Sequence, residues 1–124
     1  MTQFRRVTDL AEAARQGFRL VINNRPDGEE PGQLSSGEMA AAASAAGLDY
    51  AHVPVRGGPT QEQVETQARL IAQANGPTLA YCRSGTRSIV TWALGEALSG
   101  ARGRDELVRL GRDAGYDLSG VLPG

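Results

Sequence analysis

Aromatic residues are scarce, at 5% of 124 positions. A core must therefore be assembled from Ala, Leu, Val and Ile, and a hydrophobic share of 40% suffices for one core in a chain of this size. Cysteine and histidine each occur once, as Cys82 and His52. A single cysteine excludes an internal disulfide and fits a reducing cytoplasm, and the two residues together fall short of the ligand count of a zinc site. No cofactor is implied. Charge of either sign is not in excess, with thirteen basic residues against fourteen acidic ones, so the positive face of a nucleic-acid-binding domain is not expected. No apolar run reaches the length of a membrane span, and the start, Met1-Thr2-Gln3-Phe4-Arg5-Arg6, lacks the apolar stretch of a secretory signal. The expectation is one domain over residues 1–124, cytoplasmic, with neither nucleic acid nor membrane as a partner. Nothing in the sequence fixes an oligomeric state.

What is present is regular punctuation by capping residues and glycine. Thr8 or Asp9 caps a short helix running to about Gln16, and Gly17 stops it. Residues 18–22 form an apolar run broken only by Arg19, read as a buried strand, and residues 23–32 are a long loop dense in Asn, Pro, Gly and Glu. Ser35-Ser36-Gly37-Glu38 is a capping box that opens an Ala-rich helix ending at Gly47. Residues 50–55 alternate as a second strand, which Pro54 places at an edge or a strand end. Thr60-Gln61-Glu62-Gln63 is a second capping box. Behind it Val64, Ala68, Ile71 and Ala72 share one helical face, closed by Asn75-Gly76-Pro77. Residues 78–81 are a third strand, 82–88 a turn, 89–98 a helix carrying Trp92 and Leu94 toward the core, and 105–114 a last helix stopped by Gly115. Three such helix–strand repeats predict an α/β fold with a mostly parallel sheet and helices on both faces.

The chemistry concentrates at Cys82-Arg83-Ser84-Gly85-Thr86-Arg87-Ser88. A strand leading straight into a loop and then a helix turns backbone N–H groups inward, and the helix N-terminus adds about half a positive charge. Gly85 permits the left-handed backbone that a ring of amides needs. Such a ring binds an oxyanion, and Arg87 can close over it as a two-pronged donor. The same field lowers the pKa of a cysteine from about 8.5 and makes it a nucleophile, with Ser88 able to donate to the sulfur. An inert core cysteine would need none of this polar loop. Arg25 follows the first strand, Arg56 the second, and Arg83 and Arg87 the third. The carboxyl ends of parallel strands share one rim, so an electropositive mouth is expected there. Asp27, Glu29 and Glu30 are acid candidates, salt-bridge partners for Arg25, or solvated charges. Asn23 and Asn24 are read as satisfying loop backbone groups, and His52 as packed or exposed rather than catalytic.

Three segments together carry a resemblance: Ile22-Asn23-Asn24-Arg25-Pro26-Asp27-Gly28-Glu29, Val53-Pro54-Val55, and Tyr81 through Ser88. From about Thr8 to Leu118 the chain resembles the phosphatase-like domain of the beta-lactamase-hydrolase-like protein family. The resemblance implies a fold similar to that of dual-specificity and tyrosine phosphatases, and a link to both phosphatase and rhodanese-like sulfurtransferase activity. In some members a metallo-hydrolase domain of the persulfide dioxygenase type follows; here none is expected. Two departures stand out. Those phosphatases place one more residue between Cys and Arg than the four here, Arg83 to Thr86, and the shorter ring has the length seen in rhodaneses. They also carry an aspartic general acid after the strand that aligns with Val53-Pro54-Val55, where this sequence has Arg56-Gly57-Gly58.

Displacing an alkoxide needs a proton, and a placed acid contributes about 10²- to 10⁴-fold, whereas sulfur transfer expels a stable anion. The sequence alone therefore favours a sulfurtransferase, with Cys82 carrying a persulfide passed to an external thiol acceptor and thiosulfate or a persulfide as donor. The alternative is a phosphatase acting on phosphotyrosine-like or other small phosphoesters through a phosphocysteine, with Asp27 as its acid. A non-catalytic anion-binding or partner module is a third reading. On either enzymatic reading Cys82 and Arg87 are catalytic, and Arg83, Ser84, Gly85, Thr86, Ser88, Arg25 and Arg56 bind the small anionic substrate.

Overall fold

The computed structural model describes residues 2–4 and 10–123; the predicted helix cap at Thr8 or Asp9 lies outside them. In chain order the elements are β1 (Thr2–Phe4), α1 (Leu10–Arg15), β2 (Leu20–Asn23), α2 (Ser36–Ala45), β3 (Asp49–His52), α3 (Gln61–Gln73), β4 (Thr78–Tyr81), α4 (Thr86–Ser99) and α5 (Arg104–Asp113). Both capping boxes form. Ser35 Oγ accepts from the Glu38 amide at 3.1 Å while the Glu38 carboxylate accepts from the Ser35 amide. Thr60 and Gln63 repeat the exchange at the head of α3. Each satisfies two N–H groups that a helix start leaves without partners.

The four strands form one sheet in the order β1-β4-β2-β3, with every pair parallel. The fourth strand, β1, was not anticipated: three residues are too few to display a period. Two predicted boundaries also move. Phe18 belongs to the turn after α1 rather than to β2, although its side chain is buried, and α4 begins three residues earlier than read, at Thr86. The predicted edge position of the second strand is observed. β3 lies at the sheet edge, and its pairing continues past the regular strand as the Val53 and Val55 amides donate to the Asn23 and Asn24 carbonyls, both at 2.9 Å. Pro54, between them, has no N–H to offer, so an alternating ladder tolerates it.

Both faces of the sheet are covered. Val21, Leu79 and Tyr81 pack with Leu10 and Ala13 of α1 and Met39 and Ala43 of α2. Leu20, Ile22 and Ala80, pointing the other way, meet Leu70 and Ile71 of α3. Alongside α3 lies α4, whose Ile89 and Ala93 pack with Leu107 of α5 and with Leu118 and Leu122. Trp92 joins this cluster partly buried, with the Arg102 guanidinium 5.8 Å above its ring. Burial on both sides explains why β2 and β4 read as continuous apolar runs rather than alternating ones.

A polar pin crosses this second layer. Gln67 of α3 is fully buried, and its Oε1 accepts from Asn24 Nδ2 at 2.7 Å. The same amide nitrogen donates to the Val53 carbonyl at 2.9 Å, so one side chain ties together the carboxyl ends of β2 and β3 and the helix above them. Gln67→Ala strands a buried donor of Asn24, which costs about 1–3 kcal/mol. Urea denaturation should show a lower midpoint at an unchanged slope.

Candidate active site

β4 ends at Tyr81 and α4 starts at Thr86, so four residues make the turn. Cys82 opens it, with its side chain buried at 2% exposure. Gly85 is the N-cap of α4 at φ 89°, a left-handed conformation that glycine adopts without steric cost. It has no side chain with which to cap the helix, so the amides of the first turn are left for another acceptor. The Cys82 sulfur takes that role, accepting from the Gly85 N–H at 3.1 Å. Burial on its own would push this thiol up. The amides of Ser88 and Ser84, the Ser88 hydroxyl and the Gly85 amide outweigh burial, and the thiol is held below its ordinary value. The Ser88 hydroxyl is fully buried and has no other partner among the described residues.

Arg87 stands one residue into α4. Its Nη1 donates to Glu29 Oε2 at 2.7 Å and to the Val55 carbonyl at 2.9 Å, and its Nη2 donates to Glu29 Oε1 at 2.9 Å. A guanidinium has five N–H donors. Three are committed here, which leaves the Nε–H and the second Nη2–H, adjacent donors along one edge. The hydrogen bond with Glu29 raises the pKa of the guanidinium most, more than burial lowers it, and the nearby Cys82 sulfur adds to the rise. The Arg87 bond likewise holds the Glu29 carboxyl below its ordinary value, more than burial raises it, with Arg25 contributing to the lowering.

Arg25, Arg83 and Arg87 meet through Glu29 and Glu30, so their charges do not stand alone. Arg25 donates from Nε to Glu29 at 3.0 Å and pairs through Nη2 with Glu30 at 2.7 Å. Arg83, mostly exposed, lies 3.7 Å from Glu30. The expected electropositive mouth is thus partly neutralised by two carboxylates of the β2–α2 loop. Arg56 is exposed and directly follows the carbonyl that Arg87 holds. Asn23 Oδ1 accepts from the Arg25 amide at 2.8 Å, and His52 Nε2 donates to the Arg25 carbonyl at 2.8 Å, so both set the path of this loop. Asp27 lies apart from Cys82 in its bonding: its carboxylate accepts from the Ser36 amide at 2.7 Å, at the start of α2. Ser84 and Thr86 share a hydroxyl contact at 3.2 Å on the exposed side of the turn.

Two features escaped the sequence reading. Glu29 was a partner for Arg25, but nothing linked it to Arg87, 58 positions away. Tyr116, past the end of α5, donates its hydroxyl to the Ser84 carbonyl at 2.8 Å, and no spacing in the sequence brings it there.

Residues 3–99 match the family model of the phosphatase-like domain of beta-lactamase hydrolase-like proteins. The chain belongs to that family. A beta-lactamase hydrolase-like protein of Agrobacterium fabrum is 42% identical over 114 residues, which is 90% of this chain and 26% of the relative. The chain thus spans about a quarter of the length of the curated relatives it matches. A solved structure from Neisseria meningitidis, described provisionally as a phosphatase, superposes with a TM-score of 0.80 at 34% identity, covering 96% of this chain and 85% of that one. P. aeruginosa TpbA, solved in complex with phosphotyrosine, gives a TM-score of 0.65 at 16% identity over 98% of this chain and 83% of its own. At that identity it speaks for the fold alone, which is that of the tyrosine and dual-specificity phosphatases. No helix among the described residues of this phosphatase-like domain is long and apolar enough to cross a membrane.

The depressed thiol has a measurable consequence. Thiolate appears as pH rises through the folded-state pKa, so alkylation of Cys82 by iodoacetamide should begin at lower pH than for an ordinary cysteine at about 8.5. The native protein's rate–pH curve should inflect clearly below that of the urea-unfolded chain, which serves as the internal reference. Coincident inflections would mean that the loop amides do not stabilise the thiolate.

Proposed function

We propose that this domain is a cysteine-dependent phosphatase of small phosphate monoesters, phosphotyrosine-like esters among them. The observation that carries this reading is a buried sulfur, held below its ordinary pKa, that interacts with Arg87, a guanidinium with two donors left uncommitted by Glu29 and Val55. In the first step the Cys82 thiolate attacks phosphorus, and the bond to the ester oxygen breaks. The leaving group departs with the electron pair and takes its proton from solvent. Two non-bridging oxygens lie against the Nε–H and Nη2–H of Arg87, and the amides of the 82–88 loop take the rest. Water then attacks the phosphocysteine, phosphate leaves, and the thiolate is restored. Membership of a phosphatase-like family supports this alternative over the sulfurtransferase favoured by the sequence alone.

Glu29 has a supporting role on this reading. Together with the Val55 carbonyl it takes three of the five donors of Arg87 and fixes the plane of the guanidinium, and with its carboxyl held below the ordinary range it is a poor proton source. Asp27 would have to give up the Ser36 amide to serve as the acid. Departure of the leaving group is therefore unassisted, and the preferred esters are those of acidic alcohols such as phenols.

That same disposition of carboxylates favours one second reading. Sulfur transfer expels a stable anion and needs no acid, so a site whose nearby carboxylates are committed elsewhere also suits it. The two separate in a parallel assay. On the phosphatase reading, aryl phosphates turn over with a rate that climbs steeply with leaving-group acidity, and Asp27→Asn changes it little. On the sulfur-transfer reading, thiosulfate without an acceptor adds the mass of one sulfur to Cys82, and a small thiol removes it. A sulfur adduct with no aryl phosphate turnover would reverse the order of the two.

Arg87→Lys tests the anion cradle itself. A point charge cannot reproduce the paired donors of the free edge, and one charge-assisted hydrogen bond is worth about 1.5–3 kcal/mol. Aryl phosphate kcat/KM should fall at least about tenfold. A value within twofold of wild type would remove Arg87 from the site.

A further inference from the structure

The peptide between Ser84 and Gly85 is hydrogen-bonded at both ends. Its N–H donates to the Cys82 sulfur at 3.1 Å, and its C=O accepts from the Tyr116 hydroxyl at 2.8 Å. In a planar trans peptide these two groups point in opposite directions, so fixing one fixes the other. The loop alone does not supply this constraint. A flip of the peptide would carry Gly85 from φ 89° to a negative value, and glycine accepts both signs about equally. A flipped peptide would withdraw one donor from the sulfur and aim a carbonyl oxygen at it instead.

We propose that Tyr116 is a positioning residue, which latches the Ser84–Gly85 peptide in the one orientation that stabilises the Cys82 thiolate. It never touches the sulfur's substrate side on this account; it acts through the peptide it holds. The segment bearing it is built to stay in place. The Tyr116 amide donates to the Gly111 carbonyl at 2.7 Å, and Leu118 is buried against α5. Gly111 is itself required there, since a Cβ at that position would stand 2.6 Å from Leu118 Cδ1 and 3.2 Å from the Tyr116 carbonyl oxygen. Burial, and secondarily the charge on Cys82, raise the Tyr116 phenol above its ordinary value, which favours the protonated, donating form. Tyr116 lies beyond residues 3–99, the stretch matched to the family.

The proposal rests on Cys82 being the working thiolate, but its test does not require phosphatase turnover. The variant is Tyr116→Phe in the full chain, which keeps the ring and removes only the hydroxyl. Among the described residues, the charged and titratable groups that interact with the sulfur are Arg87 of α4 and Tyr116 itself, and the variant leaves Arg87 untouched. Iodoacetamide alkylation of Cys82 is followed against pH, with urea denaturation measured alongside. Losing one firmly held amide donor should move the inflection upward by about one pH unit, a roughly tenfold loss of rate on its acid side. The rate on the alkaline plateau should stay within about twofold of wild type. A folded variant whose inflection stays within about 0.2 units of wild type overturns the proposal, whatever its denaturation midpoint. Such a result would assign Tyr116 to the packing of the C-terminal segment and would leave the phosphatase reading standing.

Discussion

A cysteine sulfur almost wholly out of solvent, whose thiol is nonetheless held below its ordinary pKa, is the constraint on which the rest of this molecule turns. Burying a charge is costly unless donors replace the water it loses. Here the replacement comes from backbone groups at a strand–helix junction, which are fixed by the fold before any ligand arrives. That junction exists because β4 is central in the sheet, between β1 and β2, and because α4 packs along α3 on the face above. Displacing any of these elements would move amides relative to the sulfur, and a small shift of a donor matters far more at a charge than at a neutral group.

Around the sulfur the molecule places its charges in pairs. Glu29 receives two arginines that lie far apart in the sequence, Arg25 just after β2 and Arg87 at the head of α4. Such a pair, with side chains about a fifth exposed, contributes modestly to stability, and its main effect is geometric. A guanidinium on a flexible stem is worth little to a small anion until its plane is set. The carboxylate and the Val55 carbonyl set it, and His52 and Asn23 set the loop that brings the carboxylate.

What could be read in advance follows from the range of the interactions involved. The capping boxes at Ser35 and Thr60 close within three residues, so residue type and spacing announce them, and both form. Strand Thr78–Tyr81, the turn at Cys82 and the left-handed Gly85 were legible for the same reason, as was the convergence of Arg25 and Arg87 on one rim. β1 was not, because three residues carry no period and its partner β4 is some 76 positions away in register. The pairing of Glu29 with Arg87, the Asn24–Gln67 pin and the Tyr116 bond also join segments that only the fold brings together. The reaction was the least legible of all. An anion cradle with an activated cysteine serves phosphoryl and sulfur transfer alike, and it is family membership that shifts the balance.

The pairing of rim charges has a consequence for how an anion finds this site. Arg25, Arg83 and Arg87 bring three positive charges to this rim, and Glu29 and Glu30 pair with them and remove two, leaving a net +1. Attraction from such a cluster is faint beyond the screening length of about 8–10 Å at physiological ionic strength. On the proposed reading, capture would depend on contact rather than on long-range guidance, and added salt would weaken it less than at a bare arginine cluster. On the phosphatase reading, highly charged molecules would gain little advantage over small monoesters, and selection would fall to the fit of three phosphate oxygens into the loop.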